Sequence, residues 1–359
     1  MQTIPLPGDG FWDYLAIDSD NRHIFVPRAG RVHVLNADTG AVVGIVSGMA
    51  DGVHAVAVAP DQGVALTADS PDGTVTLFDL RTLKRIARIR LGRDPDTIIY
   101  DASSGHAFTF NNEQDSTVLD VAQRTVIKHI ALQGRPEFAA SDGAGQVYVN
   151  IVDAGELAVI DAHKAEIIAR WPLAPCKGPT ALSIDTAHAR LFVSCRNLRM
   201  VVFDAHRGKI VADIPIGFGP DASRFDSSTA SFFSSNGGGR PSQNPNGKGS
   251  LTVIHEDTPV QFTVVQTEST QPGARTMELT LNVPGSHCPF SLPGLASRFR
   301  SATARKCLVS LCITARAQTP AGGCASANRY GYLVALPILI ATTSLARLRF
   351  RGVANERIS

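Results

Sequence analysis

The chain has 359 residues, of which 44% are apolar and 6% aromatic, and its formal net charge at pH 7 is +2. Residues 282–359 contain ten Arg or Lys and one acid, Glu356, so the first 281 residues hold 24 basic and 31 acidic residues. This acidic main region argues against nucleic acid as its partner, and the apolar content is sufficient for a large core.

The first eight residues match the end of a repeat rather than its beginning. Thr3–Gly8 reads TIPLPG, similar to the DIPIGFGP at Asp213–Pro220. A closed ring of sheets avoids exposed edges when one terminus completes the last unit. We therefore predict that residues 1–8 form the outer strand of a last blade whose inner strands come from the C-terminus. No charged segment followed by an apolar one is visible here, so the sequence predicts no signal peptide.

An apolar strand that ends in a polar residue, usually Asp, and runs into a polar turn then occurs six times. Examples are VTLFDLRTL from Val75 and MVVFDAHRG from Met200. The strand-end residues are spaced by 43, 41, 41, 43 and 51 and are Asn36, Asp79, Asp120, Asp161, Asp204 and His255. A repeat of this length, built from strands and turns, is typical of a β-propeller with four strands per blade. The repeated Asp is interpreted as structural, because it accepts hydrogen bonds from the turn that follows.

Alternating, β-branched segments predict four strands in each repeat, separated by turns rich in Gly, Pro, Asn and Asp, with no helix before residue 282. The predicted fold class is all-β: a seven-bladed β-propeller of four-stranded antiparallel, WD40-like blades, with an incomplete seventh blade and an atypical C-terminal tail. The propeller spans residues 1–279. Its blades one to six are 9–48, 49–92, 93–134, 135–174, 175–217 and 218–267, and residues 271–279 begin blade seven as an inner strand.

The repeat stops at Thr280, where charge, composition and periodicity change together. Four of the six cysteines lie beyond it, with a spacing that matches no zinc site, and are Cys288, Cys307, Cys312 and Cys324. We interpret residues 280–359 as the product of a reading-frame change in the gene, or as disordered, in preference to a second domain. Residues 331–346 are apolar and flanked by arginines, but sixteen residues are short of the ~20 of a spanning helix, so a membrane anchor is the weaker alternative.

The third position of each inner strand is predicted to face one mouth of the central channel. These residues are Asp13, His54, Asp96, Glu137, Thr180, Asp221 and Arg275. Carboxylates and imidazole can bind a metal ion or a cationic ligand. Polar residues at a solvated mouth need no function, and we favour that interpretation over a metal site. Arg275 is positioned by the alignment to pair with the acids.

The ends of the second strands are predicted around the same face. They include Asn111, Asn150 and Asn236, which we list as candidate ligand-binding residues although Asn is also a common turn residue. Cys176 and Cys195 are predicted near this face, in the same blade. They can form a disulfide or remain two free thiols, and the sequence leaves both alternatives open. No nucleophile-elbow, haem-attachment or zinc-protease motif occurs, and no metal or cofactor is predicted.

The repeats resemble the YncE-like proteins with YVTN β-propeller repeats. The similarity rests on VYVN at Val147–Asn150, LAVIDAHKAEIIARWPL at Leu157–Leu173 and MVVFDAHRGKIVADIPIG at Met200–Gly217, with Pro5–Asp18 and Ser250–Thr267 at the two ends. It covers residues 1–279. The resemblance implies a seven-bladed propeller, commonly exported to the bacterial periplasm, that acts as a binding or scaffold module without an assigned reaction.

Three functions remain as hypotheses. The first is a monomeric, non-enzymatic scaffold that binds an unknown small molecule or protein at the channel face. The second is a metal-dependent, lactonase-like hydrolase in which the acidic ring holds Ca²⁺ or a similar ion that polarises a carbonyl. The third is nucleic-acid binding through the basic tail.

Overall fold

The computed structural model describes residues 2–6, 10, 12–239, 244 and 247–279, and three strand segments at 310–311, 314–317 and 332–339. Throughout these residues the chain is all-β, and its single helical element is the 3₁₀ turn at Pro60–Gln62. Strand β1 (Gln2–Pro5) belongs to a sheet made by both ends of the chain. Six further sheets follow in sequence, each with four antiparallel strands in simple up-and-down order.

The six sheets are the blades predicted from the repeat. Blade one contains β2 (Ala16–Asp18), β3 (His23–Arg28), β4 (Arg31–Asn36) and β5 (Val42–Ser47). Blade two contains β6 (Val53–Ala59), β7 (Val64–Asp69), β8 (Thr74–Asp79) and β9 (Arg85–Arg90). Blade three contains β10 (Pro95–Asp101), β11 (His106–Asn111), β12 (Asp115–Asp120) and β13 (Thr125–Ala131).

The remaining three blades repeat the same order. Blade four contains β14 (Pro136–Ser141), β15 (Gln146–Ile151), β16 (Glu156–Asp161) and β17 (Glu166–Pro172). Blade five contains β18 (Pro179–Asp185), β19 (Arg190–Cys195), β20 (Arg199–Asp204) and β21 (Lys209–Pro215). Blade six contains β22 (Pro220–Asp226), β23 (Ser231–Asn236), β24 (Gly249–Thr258) and β25 (Gln261–Thr270).

Burial follows the position of each strand in its blade. The second strands β19 and β23 are buried at every residue. The outer strand β9 alternates between exposed and half-buried residues, as expected for a strand at the rim. One apolar cluster runs from Tyr14 in blade one to Phe203 in blade five, so the blades share a core.

The Asp that ends the third strand in blades two to five closes the next turn, as predicted. The carboxylate of Asp79 accepts hydrogen bonds from the N–H groups of Arg81 and Thr82, and that of Asp161 accepts from His163 and Lys164. These backbone hydrogen bonds lower the pKa of Asp79 and of Asp161. The repeated acid therefore stabilises the turn and is not a ligand-binding group.

The two ends of the chain meet in the seventh sheet. Strand β1 pairs antiparallel with β28 (Tyr332–Leu339), which also pairs with β26 (Ser310–Leu311) and β27 (Thr314–Ala317). The N-terminal strand β1 therefore pairs with one strand of the C-terminal tail, β28, and its place as the outer strand of a seventh blade stays a prediction. The interpretation of residues 280–359 as frameshifted or disordered stays a prediction. Thr280 and the four tail cysteines lie outside the described residues.

The segment that was predicted as an inner strand of blade seven is not a strand, since the structure assigns no β-ladder to residues 271–279. It is instead held beside blade six by separate contacts. Gly273 donates its N–H to the carbonyl of Gly237 at 2.8 Å, and the Glu278 carboxylate pairs with Arg224 at 2.7 Å. Met277 packs into the apolar cluster of blade six. Residues 271–279 therefore pack against blade six without strand pairing.

The segment proposed as a weak membrane anchor overlaps β28. Among the described residues, no helix has the length and apolar character needed to cross a membrane.

A disulfide links Cys176 in the loop before β18 to Cys195 at the end of β19, with Cα atoms 5.5 Å apart. Both cysteines are buried. The bond therefore fixes the entry of the chain into blade five against the end of its second strand.

We expect the double substitution Cys176→Ala and Cys195→Ala to lower the free energy of unfolding by ~3 kcal/mol, because a cross-link over 19 residues restricts the unfolded chain. Chemical denaturation of wild type and variant measures the difference. The linked peptide should appear in a non-reducing digest of wild type and vanish after reduction. Equal stability of the two proteins would contradict a structural role for the bond.

Candidate functional site

The starts of the inner strands converge on one mouth of the channel. In five blades a β-bulge lies at the start of the inner strand, between residues 53 and 55, 95 and 97, 136 and 139, 179 and 181, and 220 and 222. A bulge leaves one residue out of the ladder and redirects its side chain. The bulged residues include His54, Asp96, Glu137, Thr180 and Asp221, five of the seven predicted mouth residues.

A chain of ion pairs connects five of these seven side chains. His54 Nδ1 lies 2.8 Å from Asp96 Oδ1 and 3.8 Å from Asp13 Oδ2. The guanidinium of Arg275 continues the chain, with Nη2 at 3.4 Å from Asp13 Oδ1 and Nη1 at 3.1 Å from Asp221 Oδ2. Arg275 also donates a hydrogen bond to the Trp12 carbonyl at 3.1 Å. The pairing of Arg275 with the acids, expected from the alignment, is confirmed.

Glu137 stands apart from this chain and has its own arginines. Arg135 Nη1 lies 3.0 Å from one carboxylate oxygen, and Arg196 Nη2 lies 3.4 Å from the other. Sequence reasoning missed both arginines. Arg135 lies two residues before Glu137, and Arg196 directly follows Cys195 at the end of β19. These positions next to the starts of inner strands are the sequence feature that could have predicted the two arginines. Thr180 is turned away, since its hydroxyl donates to the Pro220 carbonyl at 2.7 Å.

Burial opposes the ionisation of three acids at the mouth, Asp13, Glu137 and Asp221. Burial raises the pKa of Asp221 to about 7, with Arg275 opposing and the charges of Asp13 and Glu137 adding to the shift. Burial likewise raises the pKa of Asp13 and of Glu137 against their cationic partners. Asp13, Glu137 and Asp221 therefore have raised pKa values chiefly because they are poorly solvated, and a positive charge placed beside them favours their ionised forms.

His54 responds in the opposite direction. Burial alone would lower the pKa of His54, but hydrogen bonds to Asp13 and Asp96 and the charges of both acids outweigh it and raise the pKa to about 9. The imidazole is therefore the protonated form at neutral pH and acts as a fixed cation between two carboxylates. This protonation matters for metal binding, because a metal ligand must be the neutral imidazole.

A pocket of about 570 Å³ opens beside this ion-pair chain at blade six. Its charged lining groups are Arg196, Asp221 and Arg275, and its remaining walls are Phe218, Pro220 and glycine backbone. Gly237 must lack a side chain, because a Cβ there would lie 2.9 Å from the Cβ of Arg275. The absence of a side chain at this position lets Arg275 approach the acids.

The three candidate asparagines are not at the surface of the mouth. Asn111, Asn150 and Asn236 are each 0% exposed. Asn111 Nδ2 donates to Asp115 and Thr117 of its own blade, and Asn236 Nδ2 donates to Ser250 and Thr252 of its own blade. Asn150 Nδ2 donates to the backbone carbonyl of Ala181 in blade five. These side chains therefore hold neighbouring strands together, and their role as ligand-binding residues stays a prediction.

Comparison with known proteins supports the fold. No protein-family description and no curated protein matches the chain. Among solved structures, a chain of the mitotic checkpoint complex is similar at TM-score 0.66 and 12% identity, over 78% of this chain and 85% of that one. The β-propeller domain of Myceliophteria thermophila Cps50 (Swd1) is similar at TM-score 0.58 and 12% identity, over 77% and 90%. At this identity the likeness shows the fold alone, and the protein has a β-propeller fold with WD40-like blades.

We expect Asp96→Asn to lower the pKa of His54 from about 9 toward 6.5, because the variant removes the carboxylate at 2.8 Å. A pKa that is raised on folding gives stability that is complete below pH 6.5 and is lost as pH rises to about 9. Wild type should therefore lose roughly 2–3 kcal/mol of unfolding free energy across that window, and the variant should lose less.

NMR titration of the His54 ring and denaturation at several pH values measure the two effects. Asp72→Asn is the matched control, because Asp72 pairs with Arg88 at the surface of blade two and lies outside the mouth. An unchanged titration of His54 in Asp96→Asn would show that the His54–Asp96 pair does not form in solution.

Proposed function

We propose that this protein is a non-enzymatic β-propeller scaffold that binds a partner through a cationic group at the channel mouth. The observation that supports this most is the set of four carboxylates at the mouth, drawn from four different blades, of which Asp13 and Glu137 are buried and Asp96 and Asp221 are partly exposed. Asp221, with a pKa of about 7, lines the open pocket. An ammonium or guanidinium group in this pocket would pair with the Asp221 carboxylate and oppose the burial that raises its pKa.

The proposal also covers the family and the cellular compartment of the protein. The YVTN-type repeats support membership of the YncE-like proteins, and the buried disulfide supports an oxidising compartment such as the periplasm. We also propose that the protein is a monomer and that its partner is a small molecule or a protein. The mitotic checkpoint complex is by its name a protein assembly, so a propeller with this fold is found in at least one complex of that kind.

We expect spermidine and agmatine to bind the wild-type protein more tightly at pH 8 than at pH 5, because Asp221 loses its proton with a pKa of about 7. Isothermal titration calorimetry measures the affinity. Asp221→Asn should weaken binding at pH 8 by about tenfold or more, since one charge-assisted contact is worth ~1.5–3 kcal/mol. Uncharged hexane-1,6-diol is the matched ligand control. Equal binding by wild type and Asp221→Asn, or no binding at millimolar concentration, would refute the cationic-ligand proposal.

A metal-dependent hydrolase is the second candidate, because ligand atoms of Asp13, His54 and Asp96 lie within 4.8 Å of one another. The geometry opposes it in two ways. His54 holds a proton between two carboxylates, and the Arg275 cation lies 3.4 Å from Asp13. A divalent ion would have to displace the proton and overcome the repulsion of the guanidinium.

We accordingly expect the NMR signal of the His54 ring to be unchanged by 1 mM Ca²⁺ or Mg²⁺ at pH 7. His54→Gln serves to assign the signal. A shift of that signal by either ion, together with metal-dependent hydrolysis of a simple γ-lactone that His54→Gln abolishes, would replace the scaffold proposal by the hydrolase.

A further inference from the structure

A second cluster of ionisable side chains lies on the face of the propeller opposite the channel mouth. Asp185 ends the inner strand of blade five, His188 lies in the turn that follows, and Glu256 lies in β24 of blade six. One ligand atom from each lies within 4.8 Å of the others. His188 Nδ1 is 2.5 Å from Asp185 Oδ2 and 3.3 Å from Glu256 Oε1.

Two members of this cluster belong to the ordinary repeat. In other blades a polar residue three positions after the acid that ends the inner strand donates to its carboxylate. Asn21 does so to Asp18 and Thr229 to Asp226. The contact between His188 and Asp185 is therefore the turn contact of the fold, and by itself it indicates no ligand.

Glu256 is the exception to the repeat. Its N–H donates to the Ala230 carbonyl, and the same backbone bond to the preceding turn is made once in each other blade. The residues that make it elsewhere are all apolar and are Ala37, Leu80, Val121, Ala162 and Ala205. Blade six alone among these six blades places a carboxylate at this position.

The carboxylate of Glu256 is buried without a hydrogen bond. Glu256 is 6% exposed, and neither carboxylate oxygen has a hydrogen-bond partner in the structure. His188 Nδ1 can donate only one proton, and its shorter contact is to Asp185. Arg190 is nearby, but it pairs with Asp204 at 3.1 Å and donates to the Pro259 carbonyl. A buried carboxylate beside a second carboxylate is unfavourable unless a cation joins them.

We propose that Asp185, His188 and Glu256 bind a divalent transition-metal ion that links blades five and six. Two carboxylates and one imidazole form a ligand set suited to Zn²⁺ or Mn²⁺, with water in the remaining position. Ligands at about 2.1 Å in near-tetrahedral geometry lie ~3.4 Å apart, close to the observed separation of His188 and Glu256. The metal replaces the proton between His188 and Asp185, which must separate by about 1 Å. His188 is half-exposed, so the ion can enter from solvent.

The repeat supplies the variants that test this site. Glu256→Ala installs the residue of blades one, four and five, and His188→Asn installs the residue of blade one, whose amide keeps the turn hydrogen bond. The probes are ZnCl₂ and MnCl₂ added to the full chain after EDTA treatment. Mn²⁺ is included because thiolates of the tail cysteines select Zn²⁺ but not Mn²⁺. Calorimetry gives affinity and stoichiometry, and thermal denaturation gives the shift in Tm.

We expect wild type to bind one Mn²⁺ with a rise in Tm, and each variant to bind at least tenfold more weakly with no rise. Without metal, Glu256→Ala should be as stable as wild type or more so, because it removes a buried carboxylate that accepts no hydrogen bond and lies 3.3 Å from His188 Nδ1. This result separates a lost ligand from a damaged fold. Asp96→Asn at the channel mouth should keep the full metal response.

Three outcomes would overturn the proposal. One is no rise in Tm of wild type with either metal. Another is a rise that survives both Glu256→Ala and His188→Asn. The third is a rise in Tm that is lost only in Asp96→Asn, because that result would place the metal site at the channel mouth. If Glu256→Ala does not fold, the comparison of wild type with His188→Asn decides alone, because the half-exposed His188 can be replaced without opening the core.

Discussion

A propeller blade can bury its faces only against other blades, and this requirement determines most of what the structure shows. A single four-stranded sheet has two apolar faces, and each is covered only when a neighbour packs on it. The buried second strand β19 and the cluster that runs from Tyr14 to Phe203 are direct results. Such a row of blades leaves two uncovered ends unless it closes.

Closure is also what assembles the channel mouth. The segment 271–279 reaches blade six without forming a ladder, and it brings Arg275 between Asp13 of blade one and Asp221 of blade six. The contacts that hold the ring together and those that organise the site are therefore partly the same. A change that loosens residues 271–279 would remove the main cation from the mouth as well as the covering of blade six.

The fold was readable from the sequence because the repeat fixes the phase of every strand. Spacings of 41 to 43 residues placed His54, Asp96 and Asp221 at equivalent inner-strand positions, and the bulges there turn them to one mouth. The ion-pair partners of the mouth acids and the hydrogen-bonding partners of strands could not be predicted in the same way. Arg196 and Arg135 are arginines in loops, where the repeat sets no residue type. Residues 271–279 alternate like a strand, but a strand also needs a hydrogen-bonding neighbour, and alternation cannot show one.

Repeats also show which residues the fold does not require. When a position is apolar in five blades and acidic in the sixth, the shared architecture cannot explain the acid, because the other five blades fold without it. Glu256 is such a residue, whereas the repeated Asp79 and Asp161 are explained fully by the turns they close. The mouth residues lie between these two cases. The repeat places them at the same position in each blade, but their charges differ from blade to blade. Function in this protein should therefore be sought where one blade departs from its siblings at a buried position, because there the departure destabilises the fold unless a ligand compensates for it.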